Sequence, residues 1–316
     1  MTQPDTLRGI GEGASLARIF PRLPSSDFAL VGPGDDSAVM SAPDSRFVVT
    51  TDMMIHGPDF RLAWSTPHDL GWKAAASNLA DVAAMGATAT ALVVAIAAPA
   101  DSPVSLLEGI ADGLRDACLA LAPGCGVVGG DLSVSATLTI AVTAFGDLAG
   151  RAPVLRSGAR LGDVVAVSGL LGSAAAGLRL LFEHGVSDAS ALRHAHPEVA
   201  AQLAPRPPIG DGVLAALAGA TAMLDLSDGL ALDARRVAAA SGVAIDLDAA
   251  SIGSREALDG GEDHSLLATF PPGTQLPGGF RVIGVVREGA GVLVDGAPYE
   301  SRGGWDPYEG WDGRAG

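Results

Sequence analysis

The chain has 316 residues, about twice a typical domain, and is 48% hydrophobic with 42 glycines, so two packed domains are expected and disorder is not. A formal charge of −16, with Lys73 the single lysine, argues against a nucleic-acid or anionic-membrane partner, because no basic surface offsets the repulsion from phosphates. The longest apolar run, residues 91–98, is far shorter than the ~20 residues that span a bilayer, and no basic region followed by an apolar core opens the chain; a soluble cytoplasmic protein is expected. Cys118 and Cys125 lack the paired spacing of a zinc site and are expected as buried thiols of a reducing compartment.

Taken in order, residues 13–20 carry a short helical pattern, and 47–51 read as a strand that ends on Thr50, Thr51 and Asp52. Pro67 opens a helix expected to run to about residue 85, with Asn78 and Asp81 projecting from one face and Asp69 placed to pair with Lys73. A strand at 90–96, a helix at 103–121 and strands at 127–128 and 137–145 complete a first domain, 1–150, followed by a connector at 151–162. The second domain, 151–316, repeats the grammar: a strand at 164–168, an alanine-rich helix to about 184, a strand at 221–226, a helix to about 240, and strands at 243–247, 266–270, 281–286 and 291–294. Residues 187–208, polar and proline-bearing with two of the six histidines, read as a surface excursion.

The chemistry sits in glycine-and-carboxylate stretches at the edges of apolar segments: GPGDDSAV at 32–39, TTD at 50–52, NLAD at 78–81, GGD at 129–131, DLSDG at 225–229 and GGED at 260–263. Each alone is an ordinary turn. Together they suggest an assembled all-oxygen site for hard divalent cations such as Mg2+. No P-loop, protein-kinase motif set or Gly-x-Ser-x-Gly elbow is present. Such a site suits phosphoryl transfer. Two unit charges about 4 Å apart repel by roughly 4 kcal/mol at an effective dielectric near 20, and metal ions gathered by carboxylates offset that repulsion. A phosphate acceptor is already anionic at neutral pH, so no general base, and hence no catalytic residue of that kind, is expected.

The ordered set GPGDDSAV, TTD, NLADVAAMG, GGDLS, RSGARLGD, LDLSDGL, GGEDHSLL and a terminal GWD resembles the thiamine-monophosphate kinases, of the superfamily with aminoimidazole ribonucleotide synthetase. The resemblance runs from about residue 11 to 308. It implies an α+β, two-domain aminoimidazole ribonucleotide synthetase-like fold, whose N-terminal domain pairs in a homodimer through an intersubunit β-barrel and whose C-terminal domain is an α/β sandwich. It implies transfer from ATP to thiamine monophosphate, giving thiamine diphosphate, with several Mg2+ ions. By position it implies Asp36, Thr50, Thr51 (through its carbonyl), Asp52, Asp81, Asp131, Asp225 and Asp228 as metal ligands. Gly130, Asp131, Arg156 and Ser227 then contact ATP, and Asp59, Glu262 and Trp305 contact the acceptor. Relatives often carry histidine where Asp59 falls, His264 stands where an aromatic is common, and Trp311, in a second GWD, competes with Trp305. A superfamily member with another acceptor, or a non-catalytic nucleotide-binding relative, is the alternative. Selenophosphate synthetase is disfavoured, since no cysteine precedes residue 118.

Overall fold

The structure is a computed structural model that describes residues 5–32, 37–184, 189–301 and 303–304. Asp36, Trp305 and Trp311 lie outside the described residues. The described residues divide into two compact units: those up to Leu79 with Ala89–Asp147, and Ala80–Thr88 with those from Leu148 to Gly304.

In the first unit, α1 (Leu7–Ile10) and α2 (Glu12–Ile19) precede a short antiparallel pair, β1 (Ala29–Val31) and β2 (Val39–Met40). Then come β3 (Val48–Ile55), α3 (Pro67–Ala84), β4 (Thr88–Ala98), α4 (Val104–Leu121), β5 (Gly126–Val134) and β6 (Thr139–Asp147). The last four strands named form one open sheet in the order β3-β6-β4-β5, with β3 antiparallel to β6 and β4 parallel to β5.

Helix α3 starts on a capping box. The Thr66 hydroxyl accepts the Asp69 N–H at 3.2 Å, while the Asp69 carboxylate accepts the Thr66 N–H at 3.0 Å, and Pro67 fills the first helical position. Helices α3 and α4 approach closely because they meet at glycines. A Cβ on Gly71 would lie 1.9 Å from the Ile110 carbonyl oxygen, and one on Gly113 would lie 2.0 Å from that of His68. Cys118 and Cys125 are free, buried thiols in this region.

The second unit contains β7 (Val164–Ser168), α5 (Ser173–His184), α6 (Ala189–Ala195), α7 (Pro197–Leu203), α8 (Ile209–Leu217), β8 (Ala222–Leu226), α9 (Leu230–Ser241) and β9 (Ala244–Leu247). It continues with α10 (Ala249–Ile252), α11 (Arg255–Asp259), β10 (Ser265–Phe270), β11 (Arg281–Arg287), β12 (Gly291–Val294) and β13 (Ala297–Pro298). Its seven-stranded sheet runs β13-β12-β9-β11-β7-β10-β8, antiparallel at each pairing except β12 with β9. Every residue of β8 and β10 is buried, and Leu224, Val237, Ile245 and Leu267 share one core.

Residues 187–208 differ from expectation. They hold α6 and α7 rather than an irregular surface excursion, and α7 buries Val199 and Leu203. Gly177 of α5 makes room for it, since a Cβ there would stand 2.0 Å from the Glu198 carbonyl oxygen. The apolar pair four residues apart is the helical signal that the histidines and prolines obscured.

Candidate functional site

Strand β3 alternates as a strand must, so Thr50 and Asp52 share the more buried side with Met54, while Thr51 faces outward with Val49 and Met53. The outward Thr51 hydroxyl donates to the Val142 carbonyl at 2.9 Å, which occupies its side chain. Asp52 is anchored from α3. Its N–H donates to the Asn78 side-chain oxygen at 3.1 Å, and the Asn78 amide donates to Ala74 O at 2.9 Å. Asn78 is buried, and sequence reasoning had not made it a site residue. Asp59 is engaged locally: its carboxylate accepts the Ile55 N–H at 2.7 Å and closes the turn after β3.

Gly130 and Asp131 lie on β5, opposite Val94 and Ala95 of β4. Gly130 is required by packing, because a Cβ there would lie 1.9 Å from the Val94 carbonyl oxygen. Beside them opens an apolar cavity of about 200 Å³ between α2, α4 and the two strands, lined by Leu16, Ile19, Ile110, Leu114, Gly130 and Asp131. Its wall from α4 carries no motif, only helical periodicity, so the sequence offered no sign of it.

The second unit gathers more of the predicted residues. The loop after β8 carries Asp225, Ser227 and Asp228, and two neighbours fasten it. From the GGED side, Glu262 N–H donates to Ser227 O at 2.7 Å and His264 N–H to Leu226 O at 3.0 Å. His264 Nδ1 lies 3.3 Å from Asp225 Oδ2, with both side chains buried. Glu262 and His264 have φ of 72° and 52°, a left-handed backbone that non-glycine residues adopt only where surroundings hold them. Asp263, between them, accepts N–H bonds from Gly172 at 2.5 Å and Ala174 at 2.8 Å, at the start of α5. Burial pushes its carboxyl above the usual range.

From the α9 side, the buried Asp233 carboxylate accepts the N–H groups of Asp228 and Gly229, both at 3.1 Å. Burial, which the nearby Arg236 opposes, pushes the Asp233 carboxyl up to about 7. Arg156 is exposed, and its backbone carbonyl is held by the Ser241 hydroxyl at 3.1 Å. Asp81 stands on α3, in the segment that groups with the second unit.

Ser227 and Glu262 are therefore brought together, and so are Asp225 and Asp228. Asp52 and Asp131 are not. They occupy β3 and β5, the two edge strands of one sheet, which run three ladder spacings, roughly 14 Å, apart. Among the described residues no three acidic, histidine or cysteine side chains meet in a group that could enclose a metal ion. Carboxylates on separate strands still suit Mg2+, which keeps several waters and usually takes one or two carboxylates plus substrate phosphates rather than a closed protein cage.

The AIR synthase related protein, N-terminal domain family matches residues 34–148. A thiamine-monophosphate kinase of Mycobacterium tuberculosis is 45% identical over 97% of this chain and 94% of its own. The chain belongs to the thiamine-monophosphate kinase family. Among solved structures, a thiamine-monophosphate kinase from Stenotrophomonas maltophilia is 31% identical with a TM-score of 0.75, covering 91% of this chain and 96% of the other. A second, described as AaThiL complexed with AMPPCP and TMP, is 34% identical with a TM-score of 0.72, covering 85% and 90%. These likenesses establish the aminoimidazole ribonucleotide synthetase-like fold with mixed α and β content. The TTD and GGD motifs lie inside β3 and β5 rather than at the strand ends expected from the sequence.

Proposed function

We propose that this chain transfers the terminal phosphoryl group of ATP to thiamine monophosphate, releasing ADP and thiamine diphosphate. The observation that carries the reading is the 2.7 Å bond between Glu262 N–H and Ser227 O, which joins the segment expected at the acceptor to the segment expected at the nucleotide. The family membership, at 45% identity across nearly the whole chain, supports the same chemistry.

The cavity beside Gly130 and Asp131 receives the nucleotide base, an apolar slot with polar groups at its mouth being the usual form of such a pocket. Arg156, exposed on its anchored loop, pairs with phosphate oxygens as a planar fork. The Mg2+ ligands are Asp36, Thr50, Thr51 through its carbonyl, Asp52, Asp81, Asp131, Asp225 and Asp228. Their oxygen-only chemistry fits the ion. When bound, Mg2+ neutralises facing phosphates and aligns the attacking and leaving oxygens. The chain's own work is positioning: Asn78 fixes Asp52, and the GGED backbone fixes Ser227. Glu262, Asp59 and Trp305 hold the thiamine moiety.

The same reading includes a homodimer. Edge strand β3 exposes Val49, Met53 and Ile55 along one face, with Phe47 just before it, an apolar stripe that a second copy would cover. An intersubunit barrel closed through this edge, with domains at 1–150 and 151–316 and a cytoplasmic location, completes the proposal. Chromatography of a reaction containing ATP, Mg2+ and thiamine monophosphate tests the activity. Thiamine diphosphate forming in step with ADP is expected; ADP without the diphosphate rejects the acceptor.

A further inference from the structure

Asp233 and Arg236 were not among the residues singled out in the sequence, and neither is needed to explain the core. Asp233 is fully buried one turn into α9. A carboxylate there would ordinarily be costly unless fully bonded. Its Oδ2 accepts the backbone N–H groups of Asp228 and Gly229, while its Oδ1 meets the Arg236 guanidinium. The other arm of that guanidinium reaches Asp228 Oδ2 at 2.6 Å. Asp228 is thus held twice, through its backbone by one oxygen of Asp233 and through its carboxylate by Arg236, and Arg236 is itself oriented by Asp233. Gly229, with φ of 118°, lets the chain turn sharply enough for both amides to reach one carboxylate oxygen.

We propose that Asp233 and Arg236 are a positioning pair that fixes the Asp228 carboxylate for phosphoryl transfer, leaving Oδ1 of Asp228 presented while Oδ2 is held. This rests on the reading of Asp228 as a ligand of the nucleotide-bound Mg2+. Neither side chain touches substrate in this account. A planar fork suits the task, because it fixes two carboxylates at once, which a lysine ammonium does as a point charge without the same directionality.

The test uses Arg236→Gln, Arg236→Lys and Asp233→Asn in the full chain, with thermal melting to establish folding. Arg236 is partly exposed, so its variants decide the matter if Asp233→Asn fails to fold. Expected for Arg236→Gln is a rise of about tenfold or more in the Mg2+ concentration giving half-maximal rate, the usual consequence of removing an outer partner of a metal ligand. The KM for thiamine monophosphate should stay within about twofold, and Arg236→Lys should fall between the two. Calorimetry gives a readout independent of turnover: the tightening of AMPPCP binding by Mg2+ should shrink by about tenfold in Arg236→Gln, with metal-free AMPPCP binding unchanged. Unaltered Mg2+ dependence overturns the proposal. Tighter Mg2+ dependence also overturns it, since Arg236 would then be a competitor of the ion. If the unaltered chain makes no thiamine diphosphate, the activity reading fails, while the calorimetric comparison still decides this one.

Discussion

The side-chain oxygen of Asn78 accepts the backbone N–H of Asp52 at 3.1 Å, across from helix α3 to strand β3. An edge strand such as β3 has no neighbouring strand for every second N–H. Here one is spent on a helix, and the residue whose direction is fixed by it is a carboxylate at the centre of the predicted site. Replacing Asn78 with Ala removes the acceptor of that N–H, at a cost of about 1–3 kcal/mol. Urea denaturation should show this loss, and kcat should fall with it. An unchanged midpoint would mean that another group takes over the bond.

Asp52 itself is expected to act through charge rather than through packing. Asp52→Ala should keep its fold by circular dichroism while kcat drops about a hundredfold or more, the scale seen when a transition-state electrostatic contact is removed. Near-normal turnover would remove β3 from the metal site. The roughly 14 Å between the two sheet edges makes this informative, because Asp131→Ala tests a separate position and the two losses should be distinguishable by Mg2+ titration.

Much of this architecture was legible in the sequence, and the parts that were not share a cause. Helix α3 was expected from Pro67 to about residue 85 and runs Pro67–Ala84, because Pro67 and a strong apolar period are local signals. Asp69 also caps the helix through Thr66, a role that the spacing to Lys73 did not announce. Helices α6 and α7 were read as surface, since Val199 and Leu203 are a thin signal among histidines and prolines. Asn78 is noted in the sequence beside Asp81 without a role of its own, and Asp233 and Arg236 carry no sequence signal, because the importance of all three arises only when distant backbone is brought beside them. Nothing in residues 233–236 announces that two loop amides will meet one carboxylate.

The glycines between α3 and α4 should be the most substitution-sensitive positions outside the site. Gly113→Ala places a Cβ 2.0 Å from the His68 carbonyl oxygen, and the helices must separate to admit it. The expected cost is about 1–3 kcal/mol or more, read as a lowered denaturation midpoint. A midpoint equal to that of the unaltered chain would contradict the close approach. Gly13, with nothing within 4 Å of its would-be Cβ, is the natural control.

Mild acid should weaken the first unit through His56. Burial, with Arg61 beside it, lowers the His56 pKa below the usual 6.5, so the folded chain prefers the neutral ring while the unfolded chain protonates first. The sign follows: stability is fully present above the unfolded pKa and is lost as pH falls from about 6.5 toward the folded value. His56→Gln should flatten the slope between about pH 7.5 and about pH 5.5 in urea midpoints. A parallel slope in the variant would assign the acid sensitivity to other groups.

The cavity between α2, α4 and β5 makes a prediction separable from the metal chemistry. Leu16 is half-buried on α2 and lines the space of about 200 Å³. Leu16→Trp puts an indole into that space without opening a void, so the fold should tolerate it while the nucleotide base is excluded. The expected signature is a rise of about tenfold or more in the KM for ATP with the KM for thiamine monophosphate nearly constant, the pattern of lost uniform binding to one substrate. Equal changes in both constants would point to a distorted site instead. No change in either would place the base elsewhere, because an indole filling the slot and a base occupying it are mutually exclusive.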